Sequence, residues 1–396
     1  MMSALKNVKI LDLTRVLSGP FCTAMLADMG AEVIKVEHPM GGDGAREPSA
    51  AVNGESLYFM SLNRGKKGIT LNLKDKKGLE ILKSLIKKSD VIVENFRPGV
   101  MGKLGLSYPD VKKINPGIIY ASISGFGQDS PMKHLPAFDL VAQAMGGIMS
   151  INGQKGAPPT RVGVSLGDTS TALYTAFAIV TALYNREKTG YGQSIDVSMV
   201  DSIFSLLEMS LFSYLGDEKE VQGRMGSRHP TSYPYDVFEA KDGYFTIATF
   251  DNTGFSRLCE VMDRAELMED ERFLTDTIRG KNDAALKEII HSWSNELTVE
   301  QVLDILEQAR VPASPIYNIQ QIAESDHIKA REMLVPVDHP VAGPTRIPAM
   351  PVKFSHTRAT IQGPSPLLGE HTKEVLKNEL GFDDQFIKKL ADNKII

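Results

Sequence analysis

Short apolar segments alternate with helical segments through the first two hundred residues, and this alternation limits the folds open to the chain. Strands are predicted at residues 8–13, 31–37, 69–73, 91–95, 118–123 and 194–200. Helices are predicted at residues 21–29, 77–88, 109–114 and 201–215. Short strands that alternate with helices form a mainly parallel sheet covered by helices on both faces. The predicted fold class is therefore α/β, with a Rossmann-like, mainly parallel sheet.

The length of the chain and a change in its composition indicate two domains. At 396 residues the chain is long for a single domain. Residues 216–234 are polar and rich in loop-forming residue types, and a hairpin pattern at 237–248 follows, with helical patterns at 254–262, 283–292 and 299–308. We predict a large Rossmann-like domain over residues 1–220, completed by 326–396, and a small α+β domain over 225–325.

Two segments near the end of the chain are assigned to the connection and to the large domain. The proline-rich residues 335–351 are expected to form a return linker. Residues 367–390 have a helical pattern and are expected to pack on the large domain, which would make that domain discontinuous.

Composition and charge exclude several classes of protein. The net charge is −5, with 42% apolar and 23% charged residues, which is typical of a globular protein and does not indicate a nucleic-acid partner. The two cysteines, Cys22 and Cys259, offer neither a disulfide framework nor zinc spacing. No leader pattern precedes the first strand, so we expect a cytoplasmic protein.

An uncharged run at residues 169–184 is the segment that most resembles a membrane span. It contains Thr, Ser and Tyr and is shorter than the roughly 20 residues that a span needs. We therefore predict a buried core helix and no membrane association.

The pair Gly167-Asp168 stands at the start of this helix. Aspartate is a favoured helix N-cap, so Asp168 could simply begin the helix. Alternatively, the free N–H groups and positive end of a helix stabilise a carboxylate, which can then attack a carbonyl carbon as a nucleophile. The pair alone leaves both interpretations open.

The first strand, loop and helix resemble a dinucleotide-binding unit without its glycine fingerprint. The turn reads Leu17-Ser-Gly-Pro20, and proline removes a backbone N–H that a pyrophosphate could use. An NAD enzyme is therefore disfavoured, and another adenine ligand suits the fold better. Several cations close to predicted strand ends suit a polyphosphate, namely Arg15, Lys35, Arg46, Arg64, Lys66, Lys67, Lys74, Arg97 and Lys103.

Other motifs with a defined chemistry are missing from the sequence. It contains no phosphate-binding Gly-x-x-x-x-Gly-Lys-Ser/Thr loop, no Gly-x-Ser-x-Gly elbow and no metal-ligand spacing among its eight histidines.

An ordered set of segments from one end of the chain to the other resembles the class III CoA-transferases, the family of formyl-CoA:oxalate and carnitine CoA-transferases. The segments are Ile10-Leu-Asp-Leu-Thr-Arg-Val-Leu-Ser-Gly-Pro20, Gly30-Ala-Glu-Val-Ile-Lys-Val-Glu37, Leu71-Asn-Leu-Lys74, Val93-Glu-Asn-Phe-Arg-Pro-Gly99, Ser124-Gly-Phe-Gly-Gln128, Phe138-Asp-Leu-Val-Ala-Gln-Ala-Met145, Gly167-Asp168 and Leu368-Gly-Glu-His-Thr372.

The resemblance implies that Asp168 is a covalent nucleophile that moves CoA from an acyl-CoA to a small carboxylic acid. The intermediates would be a mixed anhydride and an aspartyl-CoA thioester, with CoA and acyl-CoA as substrates and no permanently bound cofactor. An unperturbed Asp has a pKa near 3.9 and is ionised at pH 7, so no general base is expected. The resemblance also implies an interlocked homodimer.

Positions that match the family's CoA contacts form a second group of candidate residues. They are Arg15, Leu17, Ser18, His38, Leu71, Asn72, Lys74, Asn95, Phe96, Arg97, Lys103, Phe138 and Asp139. Some relatives have Arg in place of His38 and Lys in place of Pro136, so Lys133 or His134 could supply the second contact.

Two alternatives and the identity of the acid stay open. The α-methylacyl-CoA racemase branch uses a His-Asp pair where this chain has Phe138-Asp139, and the absence of the imidazole base favours the transferase. A non-catalytic acyl-CoA-binding protein would bind but not turn over. Oxalate, succinate-like dicarboxylates and other short acids are all candidate acceptors.

Overall fold

A computed structural model describes residues 3–396, which form two compact units. The first unit comprises residues up to Gly147 together with Val162–Leu206 and Asp326–Ile396. The second comprises Ile148–Arg161 and Leu207–Ser325.

The strands, numbered in chain order, belong to four sheets. They are β1 Lys9–Asp12, β2 Glu32–Glu37, β3 Ala51–Val52, β4 Glu55–Ser56, β5 Lys67–Thr70, β6 Val91–Glu94, β7 Ile119–Ser124, β8 Ser194–Ser198, β9 Tyr235–Ala240, β10 Gly243–Ala248, β11 Ala313–Pro315, β12 Leu334–His339 and β13 Gly343–Pro348.

The helices are numbered in the same way, and two short 3₁₀ turns at Gly44–Arg46 and Ala265–Met268 accompany them. They are α1 Ser18–Asp28, α2 Leu57–Asn63, α3 Lys76–Ile86, α4 Val100–Lys103, α5 Tyr108–Ile114, α6 Asp139–Met145, α7 Ile148–Ile151, α8 Leu166–Thr189, α9 Met199–Phe204, α10 Glu208–Leu215, α11 Asn252–Val261, α12 Asp276–Lys281, α13 Asp283–Ser294, α14 Val299–Gln308, α15 Ile319–Glu324, α16 Asp326–Ala330, α17 Thr372–Leu380 and α18 Asp384–Asp392.

A six-stranded sheet with the order β5-β2-β1-β6-β7-β8 forms the centre of the first unit, and every neighbouring pair is parallel. Counted within this sheet, the strand order is 3-2-1-4-5-6, that of the doubly wound Rossmann fold. The predicted fold class is therefore confirmed. The order reverses between β1 and β6, and ligands of such sheets bind beyond the carboxyl ends of the strands at that point.

Apolar side chains on both faces of the sheet are buried under helices. Leu11 of β1 belongs to a core cluster that includes Leu82 of α3 and Leu376 of α17. Its neighbour Ile10 belongs to the opposite cluster, with Met25 of α1. Because successive strand residues point to opposite faces, a strand buried on both faces is apolar throughout, as the sequence pattern suggested.

The second unit has a three-stranded antiparallel sheet, in the order β11-β10-β9, and its own apolar core. Phe238 and Phe245 of the β9–β10 hairpin are fully buried there beside Phe255 of α11.

Three predicted elements differ from the structure. Residues 335–351, expected to form a return linker, contain an antiparallel hairpin of β12 and β13; both strands are edges, where proline is tolerated. The single helix predicted over residues 201–215 is two helices, α9 and α10. The strand predicted at 69–73 lies earlier, at Lys67–Thr70.

Helix α8 runs from Leu166 to Thr189 and is buried on one side only, so the prediction of a buried core helix is wrong. Ala172 and Ile179 are fully buried, whereas Phe177 is 73% exposed. The exposed apolar side chains on this helix are Leu173, Tyr174, Phe177, Val180 and Tyr184. An apolar composition alone does not tell which sides of a helix are covered, which explains the error.

Candidate active site

The candidate site lies at the switch point of the parallel sheet. The loop after β1 carries Arg15, Leu17 and Ser18, and the loop after β6 carries Asn95, Phe96 and Arg97. Because β1 and β6 are parallel neighbours, their carboxyl ends meet at the same edge. The topology therefore brings these two predicted groups together.

A cavity of about 240 Å³ opens between these two loops and the start of α8. Eight of the predicted residues line it: Arg15, Leu17, Ser18, Asn95, Phe96, Arg97, Phe138 and Asp168. Lys133, which the sequence analysis offered as a substitute cation, also lines this cavity.

A second cavity of about 180 Å³ has mostly apolar walls. Arg15 and Phe96 line both cavities, and the Arg15 guanidinium carbon lies 5.3 Å from the centre of the Phe96 ring. Three more predicted residues, Leu71, Lys74 and His38, line only the second cavity. Apolar walls with cations at the rim suit a ligand that joins a flat ring system to phosphate groups.

The structure places three predicted residues outside the walls of both cavities. Lys103 is exposed in α4. The Asn72 side chain accepts a hydrogen bond from the backbone N–H of Lys74, at 3.1 Å, and so shapes its own turn. Asp139 is buried and bonds to the start of α8.

Asp168 is the third residue of α8 and not its N-cap, so the capping interpretation is wrong. The N-cap is Ser165, whose side chain accepts no capping hydrogen bond. The N–H of Gly167 is instead bonded by Oδ1 of Asp139, at 2.9 Å. The carboxylate of Asp168 is therefore free of the capping task and lines the cavity.

Two helix starts meet at Asp168. It belongs to the first turn of α8, and it lines the same cavity as Ser18, the first residue of α1, whose hydroxyl and backbone N–H lower the pKa of Asp168. Burial raises the pKa of Asp168 to about 6, the charge of Asp139 adds to this rise, and Ser18 opposes it. The expectation of an unperturbed pKa is therefore corrected, although the carboxylate is still mostly ionised at pH 7.

Gly167 allows the close packing at this point. A Cβ atom at this position would lie 3.2 Å from the Cβ of Ala142 and 3.3 Å from Oδ1 of Asp139. A larger residue would push α8 away from α6 and weaken the bond that Asp139 makes to the start of α8.

Glu94 and Tyr58 have raised pKa values and were not named from the sequence, although neither lines the two cavities. Glu94, at the end of β6, accepts the N–H of Phe96 at 2.8 Å, and burial raises its pKa to about 7. Burial and the charges of Asp168 and Asp43 raise the pKa of Tyr58 to about 12, so its hydroxyl stays protonated. The position of Glu94 at a strand end was the one available signal.

Residues 3–396 contain neither a cluster of metal-ligand side chains nor a helix suited to crossing a membrane. The His, Cys, Asp and Glu side chains described there form no group of three or more that could hold a metal ion. No helix in that part of the chain combines the length and the apolar character that a membrane crossing needs.

The fold and the site define an α/β protein whose parallel sheet has the Rossmann strand order and whose cavity at the switch point is lined by a carboxylate, that of Asp168. The family model described as CoA-transferase family III matches residues 5–372. The chain therefore belongs to CoA-transferase family III and is a CoA-transferase, an enzyme whose substrates are an acyl-CoA and a carboxylic acid.

The chain is similar to curated proteins over nearly its whole length. It is 43% identical to the succinyl-CoA:mesaconate CoA-transferase of Haloarcula marismortui, with 96% of this chain and 98% of that protein covered. It is 38% identical to the succinyl-CoA:glutarate CoA-transferase of Mus musculus, with 100% of this chain and 91% of that protein covered.

A solved structure of similar fold is that of a CaiB/BaiF family protein from Brucella suis. The TM-score is 0.85 at 34% identity, and the match covers 96% of this chain and all of the other.

Proposed function

We propose that this enzyme transfers CoA from succinyl-CoA to a small dicarboxylic acid, with Asp168 as the covalent nucleophile. The observation that carries the proposal is the placement of Asp168, a partly buried carboxylate that lines the cavity and faces the Ser18 donors. The names of the relatives support the choice of substrates, since both name succinyl-CoA and a dicarboxylic acid.

The first half of the reaction loads CoA onto the enzyme. An Asp168 oxygen attacks the thioester carbonyl, the C–S bond breaks, and CoA leaves as the thiolate with the electron pair, giving an acyl-aspartyl anhydride. The thiolate then attacks the Asp168 carboxyl carbon. Succinate leaves with the bridging oxygen, and the aspartyl-CoA thioester remains.

The second half reverses these steps with the acceptor acid. The acceptor carboxylate attacks the aspartyl thioester and expels the thiolate, which then attacks the acceptor carbonyl and regenerates the Asp168 carboxylate. No water and no nucleotide is consumed. The thioester energy is retained in the covalent intermediates, which is why the reaction requires no further cofactor.

The electrostatics of the site suit this chemistry. A carboxylate with a pKa of about 6 is a stronger nucleophile than an ordinary Asp and is still ionised at neutral pH. The N–H and hydroxyl of Ser18 can stabilise the negative oxygen that develops on the Asp168 carbonyl during each thiolate exchange.

The CoA molecule is proposed to occupy the two cavities that share Arg15 and Phe96. Lys74 and His38 at the rim of the second cavity would contact phosphate groups, and Leu71 would pack against the adenine or the pantetheine arm. The thioester end would then reach Asp168 in the first cavity. Asn72, Lys103, Phe138 and Asp139 remain predicted contacts.

A homodimer is part of the proposal, in the interlocked form that the family resemblance implies. The exposed apolar side chains of α8 support it, because Phe177 and Tyr184 are 73% and 64% exposed in the isolated chain. A contiguous exposed apolar surface of this kind marks an interaction site.

A cytoplasmic location is also kept in the proposal. Both cysteines, Cys22 and Cys259, are buried free thiols, as is typical of a reducing compartment.

The domain division also belongs to the proposal. The large domain comprises residues 1–220 and 326–396, and the small domain comprises residues 225–325.

Trapping of the intermediates tests the proposal. Enzyme incubated with succinyl-CoA and hydroxylamine should convert Asp168 to a hydroxamate, because hydroxylamine attacks an anhydride or thioester but not a free carboxylate. Mass spectrometry of the Asp168 peptide would detect the change, with Asp168→Asn and free succinate as controls. An unmodified peptide from fully active enzyme would count against covalent catalysis.

A further inference from the structure

The loop between β1 and α1 contains an unusual backbone conformation. Val16 has φ +65°, in the left-handed region that residues with a Cβ rarely adopt and that a β-branched residue strongly disfavours. It is followed two residues later by Ser18, which lines the same cavity as Asp168 and lowers the pKa of that carboxyl group. The chain direction at Val16 therefore contributes to where the Ser18 N–H points.

A buried ion pair holds this conformation. Nζ of Lys35 and Oδ2 of Asp43 lie 2.9 Å apart, and both side chains are fully buried. Asp43 accepts the backbone N–H of Val16 at 3.0 Å, and Lys35 donates to the carbonyl oxygen of Thr14 at 3.0 Å. One ion pair thus fixes the backbone on both sides of Arg15.

The side chain of Asn95 also stabilises the loop through two hydrogen bonds to the Arg15 backbone. Its Oδ1 atom accepts the N–H of Arg15 at 2.9 Å, and its Nδ2 atom donates to the Arg15 carbonyl oxygen at 2.8 Å. The amide side chain is therefore engaged by the backbone of the loop and aligns β6 with β1.

The two ends of the loop are anchored independently. Asp12 accepts the N–H of Thr14 at 2.9 Å and the ammonium group of Lys66 at 2.9 Å, and Lys66 also donates to the carbonyl oxygen of Pro20. A Cβ atom at Gly19 would lie 2.2 Å from the Cβ of Thr14, so the loop folds back tightly on α1. With both ends of the loop fixed, the backbone at Val16 is the part of the loop that can still change its conformation.

We propose that the Lys35–Asp43 ion pair is a positioning device for the transfer reaction, which holds Val16 in the left-handed conformation and thereby aims the N–H and hydroxyl of Ser18 at Asp168. Neither member of the pair touches the reacting atoms, so both act through the loop. Loss of the pair should allow Val16 to relax to negative φ and turn Ser18 away. This inference rests on the proposed role of Asp168.

The ionisation of Asp43 agrees with this role of the ion pair. Burial alone would raise the pKa of Asp43, but the charge of Lys35 and hydrogen bonds from Ala45, Lys35 and Val16 outweigh it, and the pKa lies below its ordinary value. Asp43 therefore stays ionised at neutral pH and continues to accept the hydrogen bond from the Val16 N–H.

The first test is Asp43→Asn, which removes the charge and keeps the shape. We expect kcat to fall by about tenfold or more, because a small displacement of catalytic groups costs that much in rate. The acid limb of kcat/KM should also move to higher pH. Ser18 lowers the pKa of Asp168 and Asp139 raises it, whereas Lys35 and Asp43 are not among the groups that set it directly. A shift therefore reports the position of Ser18.

Rescue by glycine separates positioning from stability. Glycine adopts positive φ freely, so Val16→Gly in the Asp43→Asn background should recover part of the lost kcat and move the acid limb back. If Asp43→Asn does not fold, Lys35→Met with Asp43→Leu replaces the pair by apolar groups, a change that buried ion pairs often tolerate. That variant should fold and remain slow.

The matched control is Asp28→Asn, which breaks another buried ion pair of the same unit, Asp28 with Arg64 at 2.6 Å. It should lower the thermal midpoint without shifting the acid limb. Wild-type kcat and an unmoved acid limb in Asp43→Asn, or the same shift in Asp28→Asn, would overturn the proposal. Full activity of Asp168→Asn would instead contradict the proposed role of Asp168 as the nucleophile, which is a separate failure.

Discussion

The Oδ1 atom of Asp139 accepts the backbone N–H of Gly167 at 2.9 Å, and this bond places a second negative charge beside Asp168. Asp139 therefore serves α8 in the way that an N-cap residue normally would, from another helix. A single contact thus fixes the start of α8 and helps to set the proton affinity of the proposed nucleophile.

The pH profile of the enzyme should follow from this arrangement. Burial, with the charge of Asp139, raises the pKa of Asp168 to about 6. The reaction needs the ionised carboxylate, so kcat/KM should fall as the pH drops through about 6. In Asp139→Asn the raising charge is gone, and the acid limb should move to lower pH. The pH dependence of kcat/KM tests this prediction, with Asp384→Asn on α18 as the control. An acid limb that moves to higher pH or does not move in Asp139→Asn would contradict the role given to Asp139.

The buried charge of Asp168 should cost stability. A carboxyl group whose pKa rises on folding contributes no penalty below its unfolded pKa, a growing penalty between its unfolded and folded pKa values, and the full penalty above its folded pKa. The rise from 3.8 to about 6 corresponds to at most about 3 kcal/mol at 1.4 kcal/mol per unit. Asp168→Asn should therefore increase the free energy of unfolding at pH 8 and leave it nearly unchanged near pH 3.

Chemical denaturation at the two pH values checks this prediction. Asp384→Asn is a control of opposite sign, because hydrogen bonds and charges from Lys373 and Lys377 lower the pKa of Asp384 to about 2. A destabilised Asp168→Asn protein at pH 8 would show that the carboxylate has a structural role that outweighs its burial.

The cation at the rim of the second cavity should affect CoA binding and not chemistry. Lys74→Met removes one charge that is proposed to contact a phosphate, a loss worth roughly tenfold in KM for the acyl-CoA. The kcat value and the KM for the acid should change little. Lys77→Met, an exposed lysine of α3 that lines neither cavity, is the matched control. Steady-state kinetics at two salt concentrations distinguishes the two lysines.

The exposed apolar face of α8 should mediate self-association. Phe177→Glu places a charge where 73% of the side chain is exposed in the isolated chain. If that face is buried between two copies, the variant should sediment as a monomer while its fold, followed by circular dichroism, is retained. Ile319→Glu changes a side chain that is 84% exposed on α15 and should leave the assembly intact. A dimeric Phe177→Glu protein would place the interface elsewhere.

Local patterns in the sequence predicted the central sheet because the apolar run of each buried strand can be recognised without knowing its distant neighbours. Strands such as Val91–Glu94 are buried on both faces, so an apolar run between turn signals was enough to identify them. The same reasoning gave Arg15 as a site residue, because parallel strands place the loops that follow them at one edge, whereas Asn95 was named only from the family resemblance.

Features that depend on distant parts of the chain were not predictable in this way. The capping interpretation of Asp168 was wrong because Asp168 lies inside α8, and the Gly167 N–H is bonded by Asp139, 28 positions before Gly167 in sequence. The ionisation of Asp168 depends on burial and on that same charge. Likewise, Lys35 was grouped with cations suited to a polyphosphate, whereas in the fold it is fully buried against Asp43.

The path of oxygen atoms tests the central claim most directly. In the proposed sequence the acceptor acid leaves one of its oxygens in the Asp168 carboxylate, and the next turnover passes an Asp168 oxygen to the released succinate. An acceptor acid labelled with heavy oxygen should therefore place label first in the Asp168 peptide and then in succinate, both read by mass spectrometry. Complete transfer of CoA with no label in either place would contradict covalent catalysis by Asp168.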